Sequence, residues 1–138
     1  MKKIPALLFV AFVLAFGVAG KCKKGGGSTP EPNEANLQVT LNPAAGSNQA
    51  AALGPDFPLT VTITSTMPPQ GVSITVSAKV DGSGSAPFFN NTQSTSATTT
   101  NFSITGTPTA TTALVTVTVT SKSKASNTWT GTYRYSRK

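Results

Sequence analysis

The chain has 138 residues, with 11 Lys or Arg against 4 Asp or Glu, a net charge of +7, no histidine and one cysteine. Without imidazole, the commonest general base and the commonest zinc ligand are both missing, and a single thiol cannot close a disulfide within its own chain. The interleaved aromatic and basic residues of a nucleic-acid reader are missing too, so nucleic acid is not an expected partner.

The chain opens on Lys2 and Lys3, an almost unbroken apolar run from Ile4 to Phe16, and the small residues Gly17-Val18-Ala19-Gly20, followed by Lys21 and Cys22. A charged start, a short apolar middle and small residues at the scissile end are what export machinery reads, so residues 1–21 are expected to be a signal peptide and the mature protein to act outside the cytoplasm. A lone cysteine directly after such a segment, followed by Lys23-Lys24 and glycines, resembles the mature start of bacterial lipoproteins. That resemblance implies acylation at Cys22, with each buried methylene adding about 0.8 kcal/mol of membrane affinity. Because Lys rather than Asp follows Cys22, it also implies an outer-membrane lipoprotein, with the periplasmic or surface side left open. Lys21 stands where these signals carry a small residue, and cleavage after Gly20 without acylation remains the alternative.

Residues 22–35 have almost nothing apolar to bury and mix Gly25-Gly26-Gly27 with Pro30-Glu31-Pro32, which makes them a tether. A dozen residues of such coil span about 20 Å. From Cys22 onward eight Lys or Arg face four acids. That modest positive balance suits solubility and weak attraction to anionic surfaces.

Residues 36–138 are one domain, large enough to bury a core without disulfides. Period two dominates it. Phe57, Leu59, Val61 and Ile63 alternate with Pro58, Thr60, Thr62 and Thr64, and Val72, Ile74, Val76, Ala78 and Val80 with Ser73, Thr75, Ser77 and Lys79. Successive strand side chains point to opposite faces, so each segment has one core face and one wet face. Further strands are expected through Leu37-Val39-Leu41, Phe102-Ile104, Ala113 to Val119 and Trp129 to Tyr135, with a weaker one near Phe88-Phe89 or in the tract Thr95 to Thr100. Turn signals separate them at Asn42-Pro43, Pro68-Pro69-Gln70-Gly71, Asp81-Gly82 and Thr107-Pro108. The expectation is an all-β, two-sheet antiparallel sandwich of about seven strands. The threonine-rich strand Val115 to Thr120, a tip, and the aromatic strand Trp129 to Tyr135 resemble the closing hairpin of bacterial immunoglobulin-like or fibronectin-like domains, which implies an Ig-like sandwich.

Reactive chemistry is sparse. The carboxylates are Glu31 and Glu34 in the tether and Asp56 and Asp81 in the domain, and a Ser or Thr nucleophile would find no imidazole beside it. Neither catalytic residues nor a cofactor are expected. Asp56 and Asp81 fall at one end of the sandwich if their strands are neighbours, a weak calcium candidate that would need help from Asn90, Asn91 and backbone carbonyls. The simpler reading makes them turn residues beside Gly54-Pro55 and Gly82. Thr60-Thr62-Thr64 and Thr116-Thr118-Thr120 resemble the ladders of ice-binding proteins, but those need flat repeats and sandwich sheets twist. Trp129, Phe88 and Phe89 are the candidate ligand contacts, able to stack on a sugar ring or seat a partner, although Trp129 and Tyr133 also fit a core. The function expected is that of a non-enzymatic, envelope-anchored module for adhesion, surface interaction or envelope structure. A glycan-binding accessory lipoprotein, or a subunit of an envelope complex pairing through a strand edge, is the alternative. Its partners would be the membrane, through the lipid anchor, and a protein or polysaccharide.

Overall fold

Inward-facing Val and Ile on alternate positions demand a second layer to cover them, and the computed structural model supplies it. It describes residues 33–138; the signal segment, Cys22 and most of the tether lie outside the described residues. Seven strands follow in order: β1 (Val39–Asn42), β2 (Phe57–Ile63), β3 (Val72–Val80), β4 (Phe89–Thr95), β5 (Thr99–Ile104), β6 (Thr111–Ser121) and β7 (Thr128–Arg137), with no helix among the described residues. They form two antiparallel sheets, β1-β2-β5 and β4-β3-β6-β7, packed as a β-sandwich. The weak signal between Phe88 and Thr100 is two strands, Thr95 closing β4 and Thr99 opening β5.

Between the layers lie Leu59, Val61 and Ile63 of β2, Val72, Ile74, Val76 and Ala78 of β3, and Val115, Val117 and Val119 of β6, all buried. Each fully buried Val, Ile or Leu contributes about 1.5–3 kcal/mol. Tyr133 and Tyr135 of β7 close one side of this core, and Phe102 and Ile104 of β5 contribute from the other sheet. The β2–β3 connection turns at Gly71, whose N–H donates to Pro68 O at 2.9 Å. Gly71 has a φ of 76°. A Cβ there would lie 2.5 Å from the carbonyl oxygen of Thr95, so only glycine fits the turn.

The outer face of the four-stranded sheet is paved with hydroxyls. Register places Ser94, Ser73, Thr120 and Thr128 in one row across β4, β3, β6 and β7, and Thr92, Thr75, Thr118 and Thr130 in the next. Within these rows Thr75 Oγ1 and Thr92 Oγ1 are 3.0 Å apart and Thr128 Oγ1 donates to Thr120 Oγ1 at 3.2 Å. β-branched threonine suits the wet side of a pleated surface, and its hydroxyls here bond one another across strands.

After β1 the chain passes through the cis Asn42–Pro43 peptide and crosses to the second sheet. Residues 46–52 then run parallel to β7 as a strap, with bridges Asn48 to Arg134 and Ala52 to Arg137. The strap is held by backbone bonds: Gly46 N donates to Thr132 O, Gln49 N to Arg134 O and Ala52 N to Ser136 O, while Arg134 N donates to Ser47 O. The edge of β7 is thereby covered from Thr132 onward.

Candidate functional site

The two ends of the sandwich differ. At one, the β6–β7 turn captures the start of the domain. Asn127, buried to 8% exposure, accepts from Leu37 N at 2.9 Å through Oδ1 and donates through Nδ2 to Ala35 O at 2.9 Å and Glu34 Oε2 at 3.1 Å. Ser121 Oγ shapes the turn by accepting from the N–H groups of Ser123 and Lys124. Desolvation works against ionisation of Glu34, but the hydroxyls of Ser121 and Ser123 and the Asn127 amide outweigh it and hold the carboxyl below its ordinary pKa. Glu34 and Ala35, which the sequence places in the tether, are therefore docked on the domain.

At the other end, the start of β2, the end of β7 and the strap enclose an aromatic cleft. The rings of Phe57 and Tyr135 stack with centroids 4.0 Å apart. Tyr135 Oη and Thr107 Oγ1 share a hydrogen bond of 2.6 Å, and Arg137 Nη1 donates to Thr107 O. Tyr133 packs beside Tyr135 at 6.3 Å, and burial together with that neighbour pushes its phenol pKa well up. The cleft, about 200 Å³, lies between Pro43, Gln49, Ala52, Phe57, Pro58 and Tyr135. Its lining is largely apolar, so it can seat an apolar group, with the Gln49 amide and the two tyrosines as its polar components. Beside it Leu53 is 84% exposed, the one large hydrophobe so placed among the described residues. The ten-residue β7 connects the two ends, which sets them about 30 Å apart.

The candidate ligand contacts are placed differently from a free platform. Phe88, Phe89 and Trp129 are half-buried and pack against the core. Phe88 N donates to Ala78 O at 2.9 Å while Phe89 is registered with the same Ala78, so two residues of one strand oppose one of the other. That bulge lets both tandem rings reach inward. Trp129 lies over Gly131, where an added Cβ would collide with its ring.

The two aspartates of the domain flank strands of different sheets. Asp56 precedes β2 in one sheet, while Asp81 follows β3 in the other and takes the Nε–H of Arg134 at 2.7 Å. That hydrogen bond, with the Arg134 charge, outweighs desolvation and lowers the Asp81 pKa. Asn90 and Asn91 sit within β4 opposite Ser77 and Val76. Among the described residues no group of three or more His, Cys, Asp or Glu could hold a metal ion. Cys22 lies outside the described residues.

Sequence reasoning missed the cleft because it is built by residues far apart in the chain, Pro43, Gln49, Phe57 and Tyr135. Gly46 and Gly54, both at positive φ, bracket the strap and were the available sign of a separate segment there. Neither models of known protein families nor the curated proteins give a match to this chain.

Proposed function

We propose that this chain is a non-enzymatic, lipid-anchored module of a bacterial envelope that serves adhesion. The export-type segment 1–21 and the lone Cys22 support the anchor and an outer-membrane location. The strand partition supports the immunoglobulin-like reading, since it resembles such sandwiches in keeping the first, second and fifth strands on one sheet and the third, sixth and seventh side by side on the other. The observation that carries the function is polarity: Asn127 pins the start of the domain at one end, and Leu53 stands beside an aromatic cleft at the other. A tethered body of this kind presents a contact surface away from the membrane that holds it. The glycan reading loses support because Phe88, Phe89 and Trp129 are committed to the core margin.

The test is display of the full chain on a non-adherent bacterium. The protein is expected to incorporate a clickable fatty acid, to be digested by protease added outside the cells, and to raise cell retention on envelope-coated wells. Cys22→Ser is expected to abolish both labelling and retention. Protection from external protease, or retention unchanged by the protein, would overturn the proposal.

A further inference from the structure

The four-stranded sheet ends on one side at β7, covered by the strap from Thr132 onward, and on the other at β4, which among the described residues is paired only with β3. Which backbone groups of β4 face outward follows from bonds already fixed. Asp81 N donates to Thr112 O and Lys122 N to Gly71 O, so the odd-numbered residues of β3 bond to β6. Its even-numbered residues face β4, as Phe88 N donating to Ala78 O confirms. In an antiparallel ladder the direction alternates residue by residue. Phe89, Asn91, Gln93 and Thr95 therefore spend their N–H and C=O groups on β3, and Asn90, Thr92 and Ser94 aim theirs at the open side.

Sheets ordinarily guard such an edge with lysine, proline or extreme shortness. β4 has seven residues, Phe-Asn-Asn-Thr-Gln-Ser-Thr, with neither a charge nor a proline. Its inner-side residues Asn91 and Gln93 are exposed, so the facing sheet does not obstruct a strand arriving there.

We infer that β4 pairs antiparallel with β4 of a second copy, about a two-fold axis through Thr92. Two-fold axes pass through hydrogen-bonded and non-hydrogen-bonded pairs alike, and of all the possible axes only the one through Thr92, the middle residue of β4, overlaps all seven residues. Thr92 then faces Thr92 and Asn90 faces Ser94, both as hydrogen-bonded pairs, which gives about six new backbone bonds. On the inner side Asn91 meets Gln93, amide to amide, each with a donor and an acceptor for the other. No like charges are opposed. Lys122 and Lys124 lie at the β6–β7 turn and Arg134 and Arg137 on β7, at the far side of the sheet from the joint.

The axis stands perpendicular to the sheet, so it puts the Asn33 ends of the two copies at opposite ends of a continuous eight-stranded sheet. Resting on the proposed adhesive function, the consequence is that paired copies belong to facing membranes: adhesion is between like cells. One seven-residue ladder is a small interface, weak singly and strengthened when many copies act together on two surfaces.

The exported full chain carrying Cys22→Ser supplies the test. In a hydrogen-bonded antiparallel pair the Cα atoms are about 5.5 Å apart, within disulfide range. Thr92→Cys on that background is expected to give several-fold more covalent dimer under mild oxidation than Thr130→Cys, an exposed position outside the joint, because only the joint brings the two thiols into disulfide range. Thr92→Lys, which sets two ammonium groups against each other, is expected to leave the melting temperature unchanged while abolishing the concentration-dependent dimer in sedimentation. A wild-type chain that stays monomeric at millimolar concentration, with Thr92→Cys no more cross-linked than Thr130→Cys, would overturn the pairing and leave adhesion to another partner open. Phosphatidylethanolamine–phosphatidylglycerol vesicles bearing the acylated chain should cluster, and Thr92→Lys should disperse them. A dimer in solution without clustering would sink homotypic adhesion and leave the pairing standing.

Discussion

The two flanks of the four-stranded sheet solve the same problem in opposite ways. At β7 the inner side carries Tyr133 and Tyr135, both buried, and the edge beside them is covered by the strap. At β4 the inner side carries Asn91 and Gln93, both exposed, and no described strand pairs with its outer edge. One flank is structural and the other is available. Substitutions at matched depth should therefore differ sharply in cost.

The largest contrast is between Tyr135→Ala and Asn91→Ala. The tyrosine stacks on Phe57 and bonds Thr107, and its removal opens a void in the core, which should cost about 3–5 kcal/mol. Asn91→Ala should stay within about 0.5 kcal/mol of the parent. Urea unfolding followed by tryptophan fluorescence measures both, and equal losses would erase the distinction between the flanks. Tyr135→Phe sharpens it, because the stack remains and only the bond to Thr107 is lost, at about 1–3 kcal/mol.

Asn127→Ala extends the comparison to the clamped end. It leaves the buried N–H of Leu37 without its acceptor, at about 1–3 kcal/mol. Proteolysis near Leu37 should accelerate more than global stability falls. Asn127→Asp keeps that acceptor but sets a second carboxylate beside Glu34, so it should loosen the clamp near neutral pH and recover in acid. Loss without recovery would mean that the amide serves only the turn.

Gly131→Ala probes how tightly Trp129 closes its part of β7. The new methyl would overlap the far end of the indole ring, which must swing aside at about 1–3 kcal/mol. The expected signature is a red shift of tryptophan emission in the folded protein. An unshifted spectrum with full stability would show that the ring already samples an outward position.

The same contrast between flanks explains what the sequence revealed. β2, β3, β6 and β7 show alternation because a second layer covers most of their inward residues, and burial is what writes period two into a strand. β4 has the same geometry without the cover, so Asn91 and Gln93 occupy inward positions that no apolar residue needs to fill. The strap was silent for a related reason: it is held by backbone groups, which every residue carries. Phe88, Phe89 and Trp129 were picked out by chemical type, and type does not reveal whether a bulge or a neighbouring glycine folds a ring onto the core. Glu34 reads as tether because its partner Asn127 is 93 positions away.

The smallest effect belongs to the ion pair that joins the end of β3 to β7. Arg134 Nε donates to Asp81 Oδ2 at 2.7 Å with both side chains partly exposed, at 47% and 29%. Water and salt screen such a pair, so Asp81→Asn should lower the melting temperature only slightly. The pH dependence identifies the cause. The hydrogen bond from Arg134 holds the folded Asp81 pKa below its unfolded value. Its stabilisation is then complete above the ordinary carboxylate range and disappears as pH falls through the depressed value. The gap between the parent and Asp81→Asn should be present near neutrality, close in strong acid, and shrink in molar salt, where the screening length is about 3 Å. A gap that ignored both pH and salt would assign the effect to the turn at Gly82, whose N–H the aspartate also accepts, and would leave β7 held by its strap and core alone.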